Sequence, residues 1–548
     1  MISTRALIPT TLIVVLAVFS GCGGCPGGGD GGPAFDPALL DGPAVKGGRL
    51  IDSSIGEPSV LLPPLVTDSA SGQITGLVFS SLLKIGKDLT LEPEIARSWD
   101  ISDDGLEIVF HLRDDVRFHD GEALTAEDVV FSYDVMMDDG TFSPYKPRFM
   151  DVESFEKLDE YTVRVRYRRP FAPALDSFAG LAVLPKHLLE GENIMESDLR
   201  YDPVGSGPYR FVEWRRGDRV VLEANPDYFD GEPYITRYLL RIIPDQATTF
   251  LEMRAGGVDK MTPTPVQYAR QTDSRFFNEN VNKYEWVGFG YTYMGFNHTD
   301  DRFKDARVRR AISMAIDRNE LVQGVLMGLG VAANGPYKPG AWFHNDAIDP
   351  VGYDPEGAIE LLKEAGYEQV GGRMVQPDGR PFRFVLLTNQ GNESRRRTAE
   401  ILQRRLGEIG IEVEPRIIEW SALINDFIDK KRFDAIILGW NTGIDPDQYL
   451  MWHSSQTGPK EYNFASFKND EVDELLERGR ATFDQDERQK IYHRLQEVLH
   501  EEQPYAFLYV PNSMALVRNN IAGIEPAEAG IAWNFERWWI PQPLQTTR

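Results

Sequence analysis

Beyond residue 25 the 548-residue chain contains no cysteine, because its only two, Cys22 and Cys25, stand near the N-terminus. The folded part is therefore without disulfides, thiol nucleophiles or thiolate metal ligands. Histidine is sparse as well. The eight, at positions 111, 119, 187, 298, 344, 453, 493 and 500, form no His-Glu-x-x-His or Cys/His set, so no metal site and no cofactor is expected. A Gly-x-Ser-x-Gly elbow is missing, and the glycine-rich residues 203–208 lack the Lys-Ser/Thr ending of a phosphate loop, so no catalytic residue is assigned. Positive charge is in deficit, with 58 Lys and Arg against 84 Asp and Glu and a net charge of −26, which excludes broad electrostatic binding of nucleic acid. The run Arg395-Arg396-Arg397 sits beside acidic residues and is expected to be a solvated helix face.

What is present suits a large soluble protein. The length allows two or three domains, and 42% hydrophobic residues can fill sizeable cores. Arg5 precedes an apolar run over residues 6–19, long enough for a signal-peptide core and short for a membrane span. Phe19-Ser20-Gly21-Cys22 resembles a bacterial lipobox, with Phe in place of the usual Leu. Residues 1–21 are thus expected to be a lipoprotein signal peptide. Cys22 is the expected lipidation site, and the glycine-rich stretch within residues 22–46 a flexible tether.

The most structured signal lies in residues 94–137. After the turn Asp103-Asp104-Gly105, Leu106, Ile108, Phe110 and Leu112 alternate with Glu107, Val109, His111 and Arg113, the period of a half-buried strand. A second turn falls at Asp120-Gly121. Thr125 and Asp128 then form a capping-box pattern before a helical face of Val129, Val130, Tyr133, Met136 and Met137. The same stretch, from Ala96-Arg97-Ser98-Trp99 through Val116-Arg117-Phe118-His119-Asp120-Gly121 to Leu124-Thr125-Ala126-Glu127-Asp128-Val129, resembles the signature of the family 5 extracytoplasmic solute-binding proteins. These are peptide-binding components of ABC importers. A second block, Pro203-Val204-Gly205-Ser206-Gly207-Pro208-Tyr209 followed by Asn225-Pro226-Asp227-Tyr228-Phe229, is similar to another segment of that family.

Elsewhere the chain alternates strand and helix. An amphipathic helix is expected over residues 74–83, a strand over 237–243 passing into a helix from Asp245, and one amphipathic helix over 303–318. Later come a strand at 382–387, a helix at 398–409 and strands at 411–414 and 434–439. Such alternation implies an α/β protein. The resemblance sharpens this to a two-lobed periplasmic-binding-protein type II fold with an additional inserted domain, like cluster C. The discontinuous first lobe would hold residues 47–86, 204–290 and 522–548, the inserted domain 87–203 and the second lobe 291–521.

Residues 439–456 follow an apolar strand, where ligands of α/β sheets commonly sit, and they resemble the family's cleft-lining segment. Trp440 offers an apolar wall with one donor, while Asn441 and Asn463 can each pair with a peptide N–H and C=O. With Thr442, Asp445, Trp452, Tyr293 and Asn297, these are the expected ligand-binding residues. Some peptide binders of the family place an Asp three residues after this Trp to hold the ligand amine. Here that position is Gly443, which leaves Asp445 as a substitute clamp or implies a longer, blocked or non-peptide ligand. A purely structural helix cap is an equal reading of Asp445.

The resemblance implies a monomeric extracytoplasmic protein, anchored to a bacterial membrane by lipid. It would capture an oligopeptide between its lobes and pass it to an ABC permease and its ATPase, without making or breaking a bond. Rival expectations are the same fold with a metal chelate or oligosaccharide as ligand, an extracytoplasmic hydrolase, and a chaperone-like or sensory protein.

Overall fold

The computed structural model describes residues 37–545. Cys22 and the expected signal peptide lie outside them, as does the glycine-rich run. Three sheets carry the fold. The first contains, in spatial order, strands Arg49–Ser54, Arg237–Ile242, Arg219–Ala224 and Tyr209–Arg215, with the first pair parallel and the others antiparallel. Alternation in Arg237–Ile242 turns Tyr238, Leu240 and Ile242 inward, and Asp245 caps the following helix Gln246–Ala255 by accepting from Thr248 N. The expected βα unit is therefore present.

The second sheet is the largest. Along it run Lys260–Met261, Tyr505–Arg518, Gly290–Phe296, Ala435–Asn441, Arg383–Asn389 and Glu412–Ile418, and Val281–Val287 and Gly330–Ala332 also pair with Tyr505–Arg518. That strand of 14 residues joins two regions: Tyr505, Ala506, Phe507 and Tyr509 pair with Gly290–Phe296, whereas residues 512–518 pair with Val281–Val287. Apolar side chains cover both faces. One layer packs Phe296, Ile312, Leu386, Leu402, Ile437 and Leu508, and the other packs Tyr293, Ile436, Trp452, Leu476, Leu495 and Tyr505.

The signature stretch builds the third sheet, Ala96–Ile101, Glu107–Leu112, Thr162–Tyr167 and Val152–Asp159. Ile108, Phe110 and Leu112 are buried as their alternation requires, against helix Ala126–Met137. Its capping box is complete: Asp128 accepts from Thr125 N at 2.9 Å, and the Thr125 hydroxyl accepts from Glu127 N. The two signature blocks interlock. His119 N donates to Gly205 O, Gly205 N donates to His119 Nδ1 at 3.3 Å, and His119 Nε2 donates to Gly207 O at 3.0 Å. Gly205 and Gly207 are needed for close packing, because a Cβ on either would collide with the Val78 carbonyl at the end of helix Ser69–Val78.

Two expected helices differ. The one placed over 74–83 begins earlier, at Ser69 behind its cap Asp68, and stops at Val78 where the glycine block crosses it. The helix expected over 303–318 is shorter, Ala306–Met314, and a second helix, Arg318–Gly324, begins where the expected one ended. Ala315 closes the first, Asp317 caps the second through Glu320 N, and Arg318 folds back to Ser313 O at 3.0 Å.

Candidate functional site

The parallel strands Ala435–Asn441 and Arg383–Asn389 end side by side, so Asn389, Gly439, Trp440 and Asn441 gather at the carboxyl edge of the second sheet. Aromatic rings back this edge. Tyr293 stacks on Tyr505 with centroids 4.0 Å apart and faces Trp440 at 6.4 Å, and Trp440 also meets Tyr462 at 5.2 Å and Phe464 at 5.9 Å. The Tyr505 hydroxyl faces Trp440 and the Tyr293 hydroxyl. Yet neither hydroxyl, nor Trp440 Nε1, completes a hydrogen bond of normal geometry among the described residues. Buried polar atoms of this kind are usually satisfied by water or a ligand.

Segments of the first sheet approach this edge. Gly391 lies against the Pro244 carbonyl and Ile55, Gly56 against Trp420, and Glu393 N donates to Gln246 Oε1 at 3.3 Å. The third-sheet region closes in beside them. Tyr145 packs edge-on to Tyr462 at 6.1 Å, Ala172 N donates to Arg480 O at 2.7 Å, and Arg480 Nη1 reaches Pro147 O at 3.3 Å. Two cavities remain along the contact. One, of about 640 Å³, is lined by Trp286, Phe289, Lys338, Trp342, Ile444 and Glu528 among others. Lys338 stands 4.4 Å over the Phe289 ring, its ammonium pKa lowered by burial. The other, of about 330 Å³, is amide-rich, with Gln246, Thr264, Gln267, Asn389 and Asn392.

The residues anticipated from sequence divide into two groups. Trp440, Asn441 and Thr442 have open surface at the sheet edge, though Thr442 Oγ1 already donates to Phe289 O at 2.9 Å. The others are engaged within the packing around the second sheet, a correction to their expected contact with ligand. Trp452 is fully buried and donates through Nε1 to Gln448, and Tyr293 is equally enclosed. Asn297 donates to Phe433 O at 2.9 Å, and Asn463 spans Phe467 O and Phe467 N. Their amides bind the backbone that shapes the site, since a buried amide needs partners whatever the ligand. Asp445 is held by Arg488, and its neighbour Asp447 by Arg480. A clamp needs a free carboxylate. Gly443, by contrast, faces open space, where an added Cβ would meet nothing nearer than Asp445 N at 3.9 Å.

Two residues of the site, Tyr462 and Arg395, are not among those expected from sequence. Tyr462 adjoins Asn463, but nothing local marks it as the ring that meets Trp440 and Tyr145. Arg395 is hidden in its basic run. Arg396 and Arg397 do pair with Glu393, as a solvated face should, whereas Arg395 turns toward the sheet edge, where its Nη1 donates to Asn389 Oδ1 at 2.8 Å. Among the described residues no group of His, Cys, Asp and Glu could hold a metal ion.

An aromatic cluster at the carboxyl edge of an α/β sheet, with Trp440, Asn441 and Thr442 open beside it, stands where such sheets hold a solute. The chain belongs to the bacterial extracellular solute-binding proteins of family 5, whose middle-region description matches residues 90–461. Its fold is the two-lobed type II arrangement with an inserted domain. A close relative is the oligopeptide-binding protein AppA of Bacillus subtilis, 34% identical over 550 residues, covering 98% of each chain. The structure of that protein with a nonapeptide aligns with a TM-score of 0.86 at 33% identity, covering 91% of this chain and 100% of that one. NikZ of Campylobacter jejuni, solved with Ni(L-His), aligns with a TM-score of 0.82 at 28% identity, covering 90% and 99%. No helix among the described residues is long and apolar enough to cross a membrane.

Proposed function

We propose that this chain is the lipid-anchored, extracytoplasmic component of an ABC importer, and that it captures oligopeptides in the cleft at Trp440 and delivers them to a permease driven by a separate ATPase. The carrying observation is the sheet edge itself. Trp440, Asn441 and Thr442 keep open surface there, Ile444 and Asn389 beside them each line a cavity, and the amide-rich lining of the smaller one suits peptide backbone. The near full-length likeness to an oligopeptide-binding protein supports the same cargo. Chemistry on the ligand is not part of this role: the protein acts as a monomer, and ligand binding stabilises the closed lobes only as far as it touches both. In this reading residues 47–86, 204–290 and 522–548 form the first lobe, 87–203 the inserted domain and 291–521 the second lobe.

Native mass spectrometry of the purified protein tests the cargo. A retained peptide, or a thermal shift with a peptide library, supports the reading; recovery of non-peptide solutes alone, with no peptide shift, overturns it. A second reading, a non-peptide solute such as a metal chelate, is favoured by Gly443 and by the ligand of NikZ, and the same spectrum would reveal it. The anchor rests on Cys22 and its small preceding residues. Unchanged gel mobility and membrane partition of Cys22→Ala would refute it.

A further inference from the structure

The larger of the two cavities, about 640 Å³, is walled mainly by rings. Trp286 belongs to strand Val281–Val287 and Phe289 follows it, while Trp342 and Phe343 meet edge to face at 5.3 Å. Trp286, Phe289 and Trp342 are only half-buried, so ring surface borders the open volume. Leu89, Ile444 and Val287, the last 44% exposed, add apolar lining. Lys338 stands 4.4 Å over the Phe289 ring, and its ammonium has no hydrogen bond or ion pair of its own among the described residues. Asp88 and Glu528 stay exposed at the rim.

The outer wall is shaped to the rings. The turn Ala527–Gly530, closed by two main-chain bonds, lies against the Trp286 indole, where a Cβ on Gly530 would come within 3.0 Å of the ring. Ala529 N donates to Lys87 O and joins that turn to the hairpin formed by Leu83–Ile85 and Leu91–Pro93. At the tip of the hairpin Leu89 holds a left-handed φ of 60°, which glycine adopts freely and leucine does not. Strain that brings an apolar side chain to an open cavity points to a ligand pocket.

The sheet sets the place of this cavity. Strand Ala435–Asn441 lies between Gly290–Phe296 and Arg383–Asn389, so the larger cavity begins at Phe289 on one side of it and the amide-rich cavity at Asn389 on the other. No residue lines both. Thr442 Oγ1, donating to Phe289 O at 2.9 Å, ties the ringed side to the Trp440 edge. A ligand crossing Trp440 and Asn441 therefore meets amides on one side and rings on the other. Rings in contact gain more than their buried area alone, and a cation over a ring face adds to the gain, so an aromatic group is favoured above an aliphatic one of equal area.

We propose that the larger cavity is a specificity pocket for an aromatic side chain, so that this chain selects peptides carrying Trp, Tyr or Phe at the position facing Trp286, Phe289 and Trp342. The proposal rests on the peptide reading for its ligand, but the pocket concerns any solute with such a ring.

Isothermal titration with nonapeptides of Gly and Ser tests it, each carrying a single Trp, Phe, Leu or Ala at the first, middle or last residue. All are run on the full protein and on Trp342→Ala and Val287→Trp, the first removing a wall and the second filling the cavity. At one of the positions the parent should prefer Trp and Phe over Ala by about tenfold or more and over Leu by about threefold. Both ratios should fall toward one in the variants. If Trp342→Ala loses its cooperative unfolding transition, Val287→Trp carries the comparison, since it adds a side chain at a partly exposed strand position. A ring preference absent from the parent at every position, or undiminished in Val287→Trp, overturns the proposal and leaves peptide binding intact. If no peptide binds the parent, the peptide reading fails, and N-acetyltryptophanamide and N-acetylleucinamide are titrated instead. Binding of the first alone, lost in Val287→Trp, supports the pocket; binding of neither, of both alike, or unchanged in the variant overturns it.

Discussion

Arg488 grips the carboxylate of Asp445 through two hydrogen bonds, Nη2 to Oδ1 at 2.9 Å and Nη1 to Oδ2 at 3.0 Å, with side chains only 8% and 14% exposed. The acid beside Trp440 is thus spent on fixing the loop that follows the strand. Breaking a buried pair from one side leaves an uncompensated charge, so Asp445→Asn should cost about 3–5 kcal/mol in denaturant unfolding. Free and N-acetylated peptides should keep the same affinity ratio in variant and parent. A ratio that collapses toward one in the variant would restore Asp445 as the amine clamp.

Arg480 acts across a boundary. It meets Asp447 through two nitrogens at 2.7 and 3.1 Å, lies 3.8 Å over the Tyr449 ring, donates through Nη1 to Pro147 O at 3.3 Å, and accepts from Ala172 N with its main-chain carbonyl. Arg480→Ala removes the guanidinium bonds to Asp447 and Pro147 and should therefore loosen the contact with the third-sheet region as well as the loop. Small-angle scattering of the ligand-free variant is expected to give a larger radius of gyration than the parent, and addition of ligand should restore the parent value at higher concentration. Identical scattering curves would confine Arg480 to local packing.

The signature stretch was legible because its information is local. The period of Ile108, Phe110 and Leu112, the turns at Gly105 and Gly121, and the Thr125 to Asp128 cap all act within a few residues. The site was less so, because burial depends on distant partners. Trp440 and Trp452 look alike in sequence, but one ends a strand and the other sits in the short helix Tyr449–Trp452 packed on Tyr505. Asp445 finds Arg488 across 43 residues. Adjacent arginines point about 100° apart around a helix, so a solvated face describes Arg396 and Arg397 but not Arg395.

His119 should make stability depend on pH below neutrality. Burial pushes its pKa from the ordinary 6.5 down to about 4, and Nδ1 must stay unprotonated to accept from Gly205 N. The unfolded chain then binds the proton more readily, so stability present above pH 6.5 is lost as pH falls toward 4, by up to about 1.4 kcal/mol per pH unit. His119→Gln, which keeps a donor for Gly207 but does not titrate, should show a shallower loss in urea unfolding over that window. Parallel curves for variant and parent would remove His119 as the cause.

Asp176 should work in the opposite direction. It lies in helix Ala174–Ala179, a fifth exposed, 3.8 Å from Arg148 and facing Asp445, Asp447 and Arg488. Burial, helped by those two acids and opposed by Arg148 and Arg488, raises its pKa from 3.8 to about 6. The folded form now binds the proton more readily, so stability is highest below pH 4 for this group and declines as pH rises through 6. Residual exposure keeps the decline under the full value of about 1.4 kcal/mol per pH unit. Asp176→Asn should remove the decline and leave the variant more stable than the parent at pH 7, by urea unfolding. The His119 and Asp176 windows overlap with opposite signs, so the parent alone can show a nearly flat curve between pH 4 and 6. Each variant should expose the slope its own group had masked: Asp176→Asn steepens the loss on acidification, whereas His119→Gln turns it into a gain. Slopes unchanged by Asp176→Asn would show that its carboxyl titrates in the folded protein as it does in the unfolded chain.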